Sequence, residues 1–182
     1  MMQEISLNIM DLAQNSISAK AGLIEISVIE NPAEDTLTVT IADDGKGMSK
    51  DQLSAVTDPF FTTRTTRKVG LGVPFFKMAA EMSGGSFEIS SQPGKGTRLS
   101  GSFGLTNIDR MPLGDINSTI AMLIYCNPGI DFVYNRRRGK KGFVLDTREL
   151  RNVLGGVALN TNEVALWIKE FLNDGENEIN QD

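Results

Sequence analysis

Histidine is absent from all 182 residues of this chain. That excludes imidazole acid–base chemistry, histidine metal ligation and a phosphohistidine acceptor within the chain. The single cysteine, Cys126, leaves no internal disulfide framework, so a reducing cytoplasm is the expected setting. No window approaches the roughly 18 to 20 apolar residues of a membrane span, and the start MMQEISLN has neither the basic region nor the apolar stretch of a signal peptide. Positive charge is in the minority: Lys and Arg number 18 against 23 Asp and Glu, for a net charge of −5. Broad nucleic-acid binding is therefore not expected. The length suits one domain with room for an extension.

Apolar residues at helical spacing predict a first helix over about 3–21, with Glu4, Asn8, Asp11, Asn15 and Ser18 gathered in a polar stripe. LIEISVIE and DTLTVTIAD alternate strictly and read as a hairpin of half-buried strands. Ser49 and Gln52 are spaced as a capping box for a short helix over 49–56. After a loop rich in Thr, Arg and Gly, VPFFKMAAEMSGG predicts a helix with Pro74 in its first turn and Gly84 and Gly85 as its stop. SFEISSQ, PGKG and TRLSGSFGL then give strand, turn and strand. This order is α+β, with helices on one face of a largely antiparallel sheet, and it occupies residues 1–106. A small α+β extension is expected over 107–173: a helix over 116–125, a hairpin from DFVYNRRRGKKGFVL, a helix opened by Asp146 and a last helix over 162–172. The polar, acidic stretch 174–182 reads as a disordered tail.

Four stretches carry candidate chemistry. Asp11 and Asn15 lie at i and i+4, so both project from one helical face; they suit a hydrated Mg²⁺ and an oriented water, or a merely solvated face. In TVTIADDGKGMS, Asp43 ends a strand before Gly45 and Gly47. Such a carboxylate can accept from an exocyclic amine such as adenine's while bare backbone approaches the ligand, or the stretch can be a simple turn. DPFFTTRTTRKVGLG sets hydroxyls, Arg64, Arg67 and Lys68 before Gly70 and Gly72 at the mouth of a helix, which is either a phosphate site or a mobile basic loop. PGKGTRL, with Thr97 opening a strand, is by itself an ordinary turn.

In this order, the Asp-x-x-x-Asn helix, Asp-x-Gly-x-Gly, Phe-Phe-Thr-Thr-Arg, Gly-x-Gly helix start and Gly-x-Gly-Thr turn resemble the ATP-binding fold shared by gyrase, Hsp90, histidine kinases and MutL. The resemblance implies an α/β sandwich and ATP with Mg²⁺ as ligands. Asn15 resembles the family's metal-chelating asparagine. Asp43 resembles the aspartate that reads the adenine amine, with Gly45, Gly47 and Met48 shaping its pocket and Thr97 joining the water network around it. Phe60 and Phe61 resemble the family's loop aromatics beneath the lid, or are plain core residues, and Thr62 and Thr63 beside them are candidate nucleotide contacts. Gly70, Leu71 and Gly72 match the second glycine box at the β- and γ-phosphates, and Arg64 stands where a lid cation meets the γ-phosphate.

Departures from the family bound the activity. Position 11, a glutamate general base in the hydrolysing members, is Asp here, shorter by one methylene, which puts efficient hydrolysis in question. Residues 107–182 are too short for the transducer domain of those members, and no dimerisation helix is expected before the domain. The reading is a kinase subunit that hands the γ-phosphate of ATP to a separate protein; the alternatives are a slow ATP-hydrolysing switch or a nucleotide-sensing module without chemistry. LGD, DFVY and FVLDTRE resemble an extension of stand-alone bacterial ATP-binding proteins, and a protein partner is expected through it, with homodimerisation as a further expectation. NRRRGKK is either a solvated hairpin tip or a site for an acidic partner or RNA. Val164, Leu166, Trp167, Ile168, Phe171 and Leu172 form a stripe that docks on its own domain or on a partner, and Cys126 is read as a buried or helix-end thiol without chemistry.

Overall fold

The alternation Leu37, Val39, Ile41 against Thr36, Thr38, Thr40 builds the middle of the sheet in this computed structural model, which describes residues 4–57 and 71–181. Helix α1 (Ile5–Ser18) precedes β1 (Leu23–Asn31) and β2 (Thr36–Asp43). Ile26 faces Ile41 and Val28 faces Val39 across that antiparallel pair, and all four are buried. The period of two puts Asp43 in the same row as Leu37, Val39 and Ile41, so its carboxylate falls on the covered face where the strand runs out. Helix α2 (Lys50–Val56) starts with the expected capping box of Ser49 and Gln52. Helix α3 (Gly72–Met82) leads to β3 (Phe87–Gln92) and β4 (Gly96–Gly104). Gly101 leaves room for the Phe76 ring, whose atoms would lie 2.5 Å from any Cβ there, and Phe76 meets Phe103 and Phe87 edge to face.

The chain then crosses back. Leu113 and Pro112 accept the Ser6 and Ile5 N–H groups, which satisfies two donors in the first turn of α1 although Glu4 makes no side-chain cap. Helix α4 (Ile116–Cys126), β5 (Asp131–Arg138), β6 (Lys141–Asp146), α5 (Thr147–Leu154) and α6 (Asn162–Asn180) follow. Among the described residues the result is one mixed sheet of order β3-β4-β2-β1-β5-β6, in which only β1 and β5 pair in parallel. The α+β class and the mostly antiparallel sheet under a helical layer are as expected. The extension adds two strands to the same sheet, and its helices share one buried core with α1 and α3.

The acidic end departs from expectation. Residues 174–180, read as disordered, are the last turns of α6, because Val164, Ile168, Leu172, Gly175 and Ile179 carry one buried stripe along the whole helix. Gly175 weakens the helix but allows it to approach β6: a Cβ there would lie 2.5 Å from the Phe143 ring. The basic run is equally changed in meaning. Arg136 points into the core, its side chain 1% exposed, and forms ion pairs with Glu30 at 2.5 Å and Glu176 at 2.9 Å. Arg138 and Lys141 reach Asn180 and the Gln181 carbonyl. The acidic segment that NRRRGKK holds is thus the chain's own terminal helix. Burial works against the Arg136 charge, but the hydrogen bonds and charges of Glu176 and Glu30 outweigh it, so the guanidinium is held above its usual range. Glu176→Ala takes two hydrogen bonds from the buried guanidinium and leaves it Glu30 alone as counter-charge, so it is expected to cost about 2–3 kcal/mol, read from denaturant unfolding.

Other positions also moved. Asn8, assigned to the polar stripe, is buried. Leu166 and Trp167 are exposed, Trp167 stacking on Phe171, while Val164, Ile168 and Leu172 dock inward. Cys126 is an exposed helix-end thiol. No helix among the described residues is long and apolar enough to cross a membrane.

A candidate nucleotide site between the first helix and the sheet

At the end of the sheet where β2 stops and β4 starts, α1, α2 and the strands enclose a cavity of about 380 Å³, within the roughly 300–1,000 Å³ of small-molecule sites. Leu12, Ile41, Val73, Ile89 and Leu99 give it apolar walls, and Asn15, Ser16, Asp43 and Thr97 give it polar points. The register explains the convergence: Asp43 of β2 lies opposite Thr97 of β4, and Thr97 lies opposite Ser91 of β3. One row of polar side chains therefore crosses three strands, with Asp43 and Thr97 at the floor of the cavity and Ser91 behind it.

Asp43 is fixed from two sides. Ser16 Oγ donates to Oδ2 at 2.6 Å and the Gly45 N–H donates to Oδ1 at 2.9 Å. Each carboxylate oxygen keeps a free lone pair for a ligand. The second acid of the pair, Asp44, does a different job: its Oδ1 accepts from the N–H groups of Gly22 and Leu23 and ties down the start of β1. Ser16 escaped the motif reading, yet a signal for it exists, since it continues the buried stripe Ile5, Ile9, Leu12 and is itself 4% exposed.

The glycines serve the chain more than the ligand. A Cβ at Gly47 (φ +65°) would lie 1.9 Å from the Gln92 carbonyl oxygen, and one at Gly96 (φ +84°) 1.8 Å from the Asp43 carbonyl oxygen. Gly45 is pressed against Ala19 in the same way. Bare backbone is needed so that the 43–48 loop can lie against the β3–β4 turn, which brings Asp43 and Thr97 side by side.

The expected residues divide into three groups. Asn15, Asp43, Gly47, Met48 and Thr97 line the cavity, and Gly45 sits directly behind Asp43. Asp11, Leu71 and Gly72 do not line it but stand together beside it: a Cβ at Gly72 would lie 2.4 Å from Asp11 Oδ2, so that carboxylate rests on the first residue of α3. Phe60, Phe61, Thr62, Thr63, Arg64, Arg67, Lys68 and Gly70 lie outside the described residues. Lys46 and Gln52 line the cavity without having been anticipated.

With this geometry in view, the comparisons are decisive for the family. The sequence pattern of the histidine kinase-, DNA gyrase B- and HSP90-like ATPases matches residues 1–107. The chain belongs to that family. Its first 107 residues are thus an ATP-binding domain of the kind found in histidine kinases. The sensor histidine kinase ZraS of Escherichia coli (strain K12) is 36% identical over 91 residues, covering 49% of this chain and 19% of that protein. A putative sensor protein of Shewanella frigidimarina is 31% identical over 109 residues, 59% of this chain and 16% of that protein. The chain therefore matches only about a fifth of the length of these relatives. A crystal structure of the N-terminal domain of a DNA repair protein shares the fold, with a TM-score of 0.54 and 14% identity over 80% of this chain and 52% of that one.

Proposed function

We propose that the cavity binds Mg²⁺-ATP and that the chain acts as a kinase subunit, placing the γ-phosphate against a side chain of a separate protein. The observation that carries the nucleotide reading is the row Asp43–Thr97 beneath an apolar cavity, with both carboxylate oxygens held by Ser16 and Gly45. An amine on a flat heteroaromatic base supplies the donor that this edge accepts, as adenine does. Among the described residues no cluster of three or more His, Cys, Asp or Glu could cage a metal ion. The Asn15 amide oxygen is a hard donor that suits magnesium carried in with phosphates and waters; the ion would offset phosphate charge. Arg64 is proposed to meet the γ-phosphate.

Transfer to another protein is favoured by the absence of histidine from the chain and by its likeness to sensor kinases. In that reaction the γ-phosphorus bond to the bridging oxygen breaks, ADP leaves with the electron pair, and the acceptor's nucleophile bonds to phosphorus and gives up its proton. Residues 107–181 are proposed to carry the partner contact. The test is incubation with γ-labelled ATP and a lysate: label on a discrete protein is expected, and label on none contradicts the kinase reading.

A second reading, slow hydrolysis, is favoured by the contact of Asp11 with Gly72, which sets a carboxylate at the mouth of α3. It predicts phosphate release by the pure chain that falls at least tenfold in Asp11→Asn, on the scale of a lost general base.

A further inference from the structure

Behind the cavity floor stands a hydroxyl that the nucleotide reading does not use. Ser91 Oγ does not line the cavity, and it touches three groups: the Met48 N–H at 2.8 Å, the Gly96 carbonyl oxygen at 2.8 Å and Thr97 Oγ1 at 2.9 Å. A hydroxyl has one hydrogen and two lone pairs. The Gly96 oxygen can only accept, so it takes the Ser91 hydrogen; the Met48 N–H can only donate, so it fills one lone pair. What remains on Ser91 is a single lone pair, and the contact with Thr97 then requires Thr97 to be the donor. Any other assignment sets lone pair against lone pair at hydrogen-bonding distance. The Thr97 hydrogen is therefore turned away from the cavity.

The same holds on the other side of the row. The Ser16 hydrogen is committed to Asp43 at 2.6 Å, and the Gly45 N–H to the second carboxylate oxygen. Asp43 and Thr97 together offer the base edge lone pairs and no hydrogen.

We propose that Ser91 is a positioning residue for base selectivity: by accepting the Thr97 hydrogen it keeps the recognition edge acceptor-only, and so excludes bases with an oxygen at the 6-position. This rests on the reading that the cavity holds adenine. A 6-amino group donates into such an edge, whereas the 6-oxo group of hypoxanthine or guanine meets lone pairs with its own. Were the Thr97 hydrogen free to rotate into the cavity, Thr97 would donate to a 6-oxo group and the distinction would weaken.

The experiment is calorimetric titration of the full chain with Mg²⁺-ATP and with the inosine triphosphate analogue, whose base edge differs from that of ATP by the 6-oxo group and the proton on N1. Wild type is expected to prefer ATP. In Ser91→Ala the ATP-to-inosine ratio should fall about five- to tenfold, the worth of one neutral hydrogen bond gained by the 6-oxo base. Ser91→Thr, which keeps the hydroxyl, should retain the wild-type ratio. The pair Ser91→Ala with Thr97→Val, which has no hydrogen to release, should return the ratio towards wild type. A purely structural serine would weaken both nucleotides alike, and an unchanged ratio in Ser91→Ala overturns the proposal while leaving the nucleotide site standing. If wild type binds neither nucleotide, the adenine reading falls and this role falls with it.

Discussion

Asp43→Asn should weaken ATP binding by about 100-fold while the chain stays folded. The carboxylate already accepts from Ser16 Oγ and the Gly45 N–H, one on each oxygen. An asparagine amide keeps one oxygen only. The Gly45 N–H cannot reverse, so the oxygen stays with Gly45 and the new NH₂ group turns towards Ser16, whose hydroxyl can rotate to accept. The edge facing the base then loses its charge and gains a donor opposite an amine that itself donates. A hydrogen bond to a charged group is worth about 1.5–3 kcal/mol, or roughly 10- to 100-fold, and the opposed donors add to that loss. Because Asn is isosteric and Asp43 is only partly buried, thermal unfolding should move little. The measurement is titration with Mg²⁺-ATP beside a melting curve of the same sample.

Gly96→Ala should damage fold and site together. Its φ of +84° lies where a Cβ costs about 1–2 kcal/mol by itself, and the methyl would sit 1.8 Å from the Asp43 carbonyl oxygen. That neighbour is backbone at the end of an inner strand and cannot swing aside like a flexible side chain. Overpacking adds about 1–3 kcal/mol, for a combined loss of about 3–5 kcal/mol in denaturant unfolding. ATP binding should disappear as well, since the strands that hold Asp43 and Thr97 must part. Gly94, two residues earlier in the same turn, has a φ of +74° but open space around it, so Gly94→Ala should bear the conformational cost alone and leave binding nearly intact.

Much of the site was legible because it is carried by short-range pattern. Alternation from Leu37 to Asp43 fixes the face of that carboxylate, and the i, i+4 spacing sets Asp11 and Asn15 on one side of α1. The chain order of helix, strands and glycine turns carried the family. What was not legible depends on partners distant in sequence. Gly45 and Gly47 read as room for a ligand and Gly96 as part of an ordinary turn, but what the three make room for is Ala19, Gln92 and Asp43 itself. Ser16 and Ser91 gain meaning only once α1 and β3 are set against Asp43 and Thr97.

The C-terminal end shows the same limit. NDGENEIN is acidic, contains glycine and reads as disordered when taken alone. Its order comes from Arg136, 40 residues earlier in the chain at Glu176, and from the Phe143 ring that Gly175 admits. Likewise NRRRGKK reads as a free basic tip until the pairing of β5 with β1 brings Glu30 beside Arg136. Local composition reports charge; it does not report what that charge is paired with.

The most direct test of the account is titration of the wild-type chain with ATP, ADP and GTP in the presence of Mg²⁺. Binding of the two adenine nucleotides with GTP at least tenfold weaker is the predicted result, since guanine sets its 6-oxo group against Asp43 and Thr97. Equal binding of GTP, or no binding of any adenine nucleotide, would contradict the claim that this row of side chains reads adenine.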